Sequence, residues 1–174
     1  FHVYCGDVIR PDDEEGLEIQ VLNECPHPGV SEKKLKKVAA RILRDLGFKK
    51  ALVSILLVPD AKMRALNRKY LKHAWSTDVL AFGQGKIAGK KRGARKENAG
   101  DNSDFLGDIA LCVPTIEAQA DEYGHSFEEE LDYCLCHGIL HLLGHEDKTR
   151  RTKNRMLLKQ KQILKRVWSP SSGT

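Results

Sequence analysis

Residues 137–147 read HGILHLLGHED, three imidazoles and two carboxylates set into an otherwise apolar segment. Tyr133 to Cys136 (YCLC) continue the apolar character upstream, so Tyr133 to Leu143 reads as a helix that is apolar almost all round and therefore buried. Unpaired imidazoles are costly in such a place. Residues four apart share one helix face, so His137 and His141 aim at one point. On a continued helix His145 would lie about 12 Å along the axis from His137, whereas zinc sits only ~2.0–2.1 Å from each ligating nitrogen. The helix must therefore end first. Gly144 ends it, because a glycine past the last helical residue takes the left-handed conformation that reverses the chain. Asp147 becomes the leading third ligand and His145 the alternate.

The resulting pattern, His-x-x-x-His-x-x-Gly-x-x-Asp, has the metzincin ligand spacing with aspartate in the last place. Metalloproteases of this type put glutamate directly after the first histidine as general base, and Gly138 stands there, which argues against peptide hydrolysis. Two histidines and one carboxylate are also the ligand set of iron oxygenases. A single Zn2+ ion held this way keeps an open position for water and polarises a phosphoryl oxygen, which suits phosphodiester hydrolysis. Anionic Asp147 leaves less positive charge on the ion than a third histidine would, so its water is acidified less. Glu130, seven residues before His137 and on the same face, is a candidate partner of the ligands or general base.

Working outward, Ser126 and Glu129 form a Ser-x-x-Glu capping box that starts the histidine helix. Before it, Pro114 occupies a first helical position and Gly124 closes that helix. Glu18 to Asn23 alternates as a strand. Ser31 caps a helix whose stripe is Leu35, Val38, Ala39, Ile42, Leu43 and Leu46, ending at Gly47. Ala51 to Val58 is a central strand, Asp60 caps a helix to Tyr70, and Thr77 to Phe82 and Leu106 to Val113 are further strands. A last helix follows Asp147 and runs to Val167. The expected class is α+β: a small mixed four-stranded sheet packed by about five helices, with a zincin-like helix bearing the metal. One domain is expected over 18–167, with tails 1–17 and 168–174 and a flexible insertion at 83–104.

Composition sets the outer bounds. With 174 residues, 41% hydrophobic and 30% charged, the chain falls in the ordinary globular range. Its longest apolar run, ALVSILLV at Ala51 to Val58, is far short of the roughly 20 residues that cross a bilayer. Five cysteines without a Cys-x-x-Cys pair point to a reducing compartment, hence the cytoplasm. The start, FHVYCGDVIRPDDEEG, has neither initiator methionine nor secretory signal, which admits an organelle if it is a processed end. A net charge of +5 favours anionic partners. Lys86, Lys90, Lys91, Arg92, Arg95 and Lys96 concentrate that charge in KIAGKKRGARK, a segment suited to sequence-independent contact with an RNA backbone.

HGILHLLG (137–144), GHSFEEEL (124–131), LGDI (106–109) with the following helix holding Gln119 and Ala120, LNRKY (66–70) and STDVLAF (76–82) together resemble the YbeY family of endoribonucleases. The resemblance implies a single-domain α+β fold with a zinc site. It further implies a single-strand-specific endoribonuclease acting on RNA in ribosomal RNA maturation and ribosome quality control, with the ribosome as partner. This sequence departs from the family pattern at several points. The third histidine is Asp147, and the arginine the resemblance assigns to substrate phosphate aligns with Leu71. A Lys-Asp pair aligns with His73 and Ala74, and a proline with Ser76. Lys72 and Arg68 are the candidates to hold the phosphate in place of Leu71. Leu71 also supports a competing reading, a non-catalytic ribosome-binding module that keeps a structural metal.

Overall fold

The computed structural model describes residues 16–83 and 105–169; the basic segment from Lys86 to Lys96 lies outside them. In chain order the elements are β1 (Leu17–Asn23), α1 (Glu32–Asp45), β2 (Ala51–Val58), α2 (Asp60–Leu71), β3 (Val79–Gly83), β4 (Phe105–Cys112), α3 (Val113–Tyr123), α4 (Phe127–Leu142) and α5 (Arg150–Trp168). The four strands form one sheet in the order β1-β2-β4-β3. β1 and β4 run parallel to β2, whereas β3 is antiparallel to β4, so the sheet is mixed as its sequence pattern predicts.

β2 is apolar except for Ser54, with one face fully buried and Leu52, Ser54 and Leu56 of the other partly buried. Val53, Ile55 and Leu57 of β2 share one core with Ile109 and Leu111 of β4, Leu35, Ile42 and Leu43 of α1, and Leu135 and Ile139 of α4. Alternate residues of β4, Ala110 and Cys112, point the other way and meet Met63 of α2 together with Leu80. Burying a leucine or isoleucine in this way is worth about 1.5–3 kcal/mol each, so the inner face of α4 is fixed chiefly by packing rather than by helix propensity.

Gly138 is the contact that lets α4 lie so close. A Cβ at this position would stand 2.9 Å from Ile109 Cγ2 and 3.0 Å from Val79 Cγ2. A larger side chain there has to push the Ile109 and Val79 side chains aside, which disfavours the glutamate that a metalloprotease carries after its first histidine. At the far edge Gly107 has φ +144 and pairs with Gly83; a side chain at Gly107 would collide with the Phe82 carbonyl oxygen.

The helix ends follow local chemistry. Ser31 caps α1 by accepting from the Lys34 amide, and the Ser126/Glu129 capping box opens α4 with both reciprocal bonds present. Thr149 and Thr152 make a similar reciprocal pair at the start of α5. One cap differs from the sequence expectation. Pro59, with extended backbone and no side-chain bond, precedes α2, and Asp60 is the first residue of the helix, where it pairs with Arg64 at 2.8 Å. A carboxylate within the first turn still complements the helix dipole, so the same residue serves one position later. β3 begins at Val79 rather than Thr77: at the bend of Asp78 the carboxylate accepts from the Val79 amide at 2.9 Å, and the Asp78 carbonyl accepts from the Cys112 amide at 2.8 Å.

Candidate metal centre

α4 ends in a Schellman motif: the Gly144 amide donates to the His141 carbonyl and the His145 amide to the Leu140 carbonyl, each at 3.0 Å. Gly144 adopts φ +89, the left-handed value the reversal requires. The chain then turns back across the end of its own helix and brings Asp147 to the face that carries His137 and His141. One ligand atom from each of these three residues lies within 4.8 Å of the others. The two Nε2 atoms are 2.9 Å apart, and Asp147 Oδ2 is 3.5 Å from that of His137 and 3.7 Å from that of His141.

The protonation of these groups follows from their other contacts. His141 Nδ1 lies 3.0 Å from the carbonyl oxygen of His145, which can only accept, so the proton sits on Nδ1 and Nε2 carries a lone pair. His137 Nδ1 lies 3.3 Å from Gln160 Oε1. The orientation of that amide is fixed by its other end, since Gln160 Nε2 donates to the Tyr133 carbonyl at 2.8 Å. The neutral His137 ring therefore also keeps its proton on Nδ1 and presents a lone pair on Nε2. Burial, then the neighbouring His137, lowers the pKa of His141, which favours the neutral ring.

Two lone pairs and a carboxylate oxygen thus converge with no donor among them. Such an arrangement is repulsive until a cation enters. A tetrahedral ion with bonds of ~2.0–2.1 Å needs its ligand atoms about 3.3–3.5 Å apart, and the observed separations bracket that value. The residues fit a divalent metal in both geometry and donor set. Side-chain exposures of 24% for His137, 28% for His141 and 40% for Asp147 leave one side of the cluster open to solvent.

The remaining candidates fall elsewhere. His145 contributes its carbonyl to the cluster, while its ring nitrogen Nε2 lies 3.3 Å from the Lys159 ammonium. Glu130 is buried, with one carboxylate oxygen 3.1 Å from His125 Nδ1 and the other 4.0 Å from Cys134 Sγ. Arg68 and Lys72 are exposed on and just after α2. Lys72 closes that helix with φ 57. Gln160, which sequence reasoning did not single out, is 3% exposed. Its signal was present: it is a polar residue on the apolar stripe of α5 formed by Met156, Ile163, Leu164 and Val167.

A mixed sheet carrying a His-His-Asp cluster on a helix packed against it defines a zincin-like scaffold with a candidate metal centre, open on one side as an enzyme's must be. A family profile described as "Endoribonuclease YbeY" matches residues 20–168, and the chain belongs to that family. It is 34% identical over 143 residues to Endoribonuclease YbeY of Heliobacterium modesticaldum, covering 75% of this chain and 80% of that one. Identity is 40% over 114 residues to the protein of the same name from a Geobacillus strain, covering 66% and 71%. The fold is similar to the solution structure of TM1509 from Thermotoga maritima, with a TM-score of 0.55 and 26% identity over 90% of this chain and 99% of that one.

Proposed function

We propose that this chain is a zinc-dependent, single-strand-specific endoribonuclease that acts in the cytoplasm in ribosomal RNA maturation and ribosome quality control. The single observation that carries the catalytic reading is the convergence of three acceptors, His137 Nε2, His141 Nε2 and Asp147 Oδ2, on one half-exposed point. Zinc bound there supplies a Lewis acid for a phosphoryl oxygen and an acidified water. The protein's part is to hold that point rigid. Gln160 keeps the His137 proton on Nδ1, the His145 carbonyl does the same for His141, and the turn at Gly144 presents Asp147. Membership of a family whose named relatives are endoribonucleases supports RNA as the substrate. The cationic side chains of Arg68 and Lys72, with Lys86, Lys90, Lys91, Arg92, Arg95 and Lys96 of the basic segment, are proposed contacts to its backbone. No described helix is long and apolar enough to cross a membrane. Cys25, Cys112, Cys134 and Cys136 are all free thiols, as a reducing compartment allows.

One observation favours a second reading. Leu71 is 36% exposed at the end of α2, where the family resemblance places a phosphate-binding arginine, so the chain is alternatively a ribosome-binding module with a structural metal. Incubating the purified chain with a single-stranded RNA oligonucleotide separates the two. The enzyme reading predicts cleavage that stops with chelator and returns with added zinc; binding without cleavage by the zinc-loaded chain contradicts it and favours the module.

A further inference from the structure

Between Asp60 and Asp78 the sequence contains no acidic residue, and its exposed cations include Arg68, Lys69 and Lys72. Within the same stretch stands Trp75, 62% exposed, with its ring stacked on that of His73 at a centroid distance of 4.2 Å and an interplanar angle of 22°. A single exposed ring is ordinary on a protein surface, so what distinguishes this one is its stacked partner and the cations beside it. Its placement is built rather than incidental. Lys72 is the only described non-glycine residue with positive φ, and its left-handed turn swings the chain off α2. Asn67, 1% exposed on the inner face of α2, then holds the Trp75 carbonyl through Nδ2 at 2.6 Å.

The segment leads directly to the metal-bearing helix. Three residues after Trp75, the Asp78 carboxylate lies 3.7 Å from Cys134 Sγ, and Cys134 is three residues before His137. Extended chain spans at most ~3.3–3.6 Å per residue and helix ~1.5 Å, so with the intervening side chains included Trp75 stands at most roughly 30 Å from the ligand cluster, within reach of a strand threading both. Exposed aromatic rings interleaved with cations are the recurring means of holding single-stranded nucleic acid, because every base offers a π-face and every linkage an anionic phosphate.

We propose that His73 and Trp75 form a stacking platform for a nucleobase of single-stranded RNA, with Arg68, Lys69 and Lys72 holding the adjoining phosphates. The proposal deepens the endoribonuclease reading and rests on it. Trp75 and Trp168 are the chain's two tryptophans, so Trp168→Phe leaves Trp75 as sole reporter. Stopped-flow fluorescence of the zinc-loaded Trp168→Phe protein mixed with a short oligoadenylate reads binding before turnover. The expected result is quenching of Trp75, an affinity reduced about tenfold or more by Trp75→Ala, and one largely kept by Trp75→Phe. RNA binding without quenching, or with equal affinity in Trp75→Ala, overturns the platform and leaves the RNA reading intact. Absence of RNA binding by the parent protein overturns both. A dimer that Trp75→Ala dissolves would assign the indole to a second copy and likewise overturn the proposal.

Discussion

The two ends of α4 each bring histidine and carboxylate together, and they do so to different effect. At the start, His125 Nδ1 faces the Glu130 carboxylate at 3.1 Å, a donor meeting an acceptor, and the Ser126/Glu129 box satisfies the nearby amides. That end is complete without a ligand. At the finish, His137 and His141 have their protons committed to Gln160 and to the His145 carbonyl, and what they present to Asp147 is lone pairs. Proximity of histidine to acid therefore does not mark a metal site. The mark is the outer partner that removes the donor from the inner face, which is the usual role of the groups behind ligating histidines.

The sharpest way to break this comparison is to remove one group from each end. Asp147→Ala is expected to abolish high-affinity zinc binding, a loss of at least about a hundredfold, while His125→Ala leaves affinity within a few-fold; calorimetric titration of both variants measures it. Equal losses would erase the distinction between the ends. Next in size is Gln160→Leu, which keeps the volume of the buried side chain and frees the His137 tautomer. Zinc affinity should fall about 10–100-fold with the fold retained by circular dichroism, and an unchanged affinity would show that the amide is mere packing.

Smaller effects test the scaffold beneath the site. Gly138→Ala places a methyl against Ile109 and Val79, and should cost about 1–3 kcal/mol in urea denaturation through overpacking. Zinc affinity measured on the folded variant should fall less than for Gln160→Leu. The smallest prediction concerns Asp132, on α4 between the two ends, whose carboxyl is pushed up to about 6, chiefly by burial and against the opposing hydrogen bond from Trp168. Because its folded pKa lies above the unfolded value, ionisation is penalised in the native state, so this group lowers stability as pH rises from about 4 to 6. Asp132→Asn should therefore be more stable than the parent by up to about 2 kcal/mol at neutral pH, with the gap closing below pH about 4. A gap that is constant with pH would contradict the assignment.

What the sequence made legible was local. The capping box at Ser126, the four-residue step from His137 to His141 and the bend at Gly144 are each encoded within one or two helical turns, and so was Asp147 as a candidate ligand. The strands were legible for the same reason, from alternation and from the apolar run of β2, which only Ser54 interrupts. The strand order was not, because pairing β4 between β2 and β3 is a long-range choice that no local pattern specifies. Gln160 escaped notice because it acts on His137 from 23 residues away, and only its place on an apolar stripe hinted at a buried role. His145 drew attention to its ring, whereas a carbonyl, which every residue has, is what it gives to His141.

Metal analysis of the purified chain, before and after exhaustive chelation and for Asp147→Ala alongside, tests the central claim most directly. Three acceptors with no donor between them predict one equivalent of a divalent transition metal per chain, removed by chelation, restored on adding zinc and missing from the variant. A chain that remains metal-free in excess zinc, or an Asp147→Ala protein that binds as much as its parent, would contradict it.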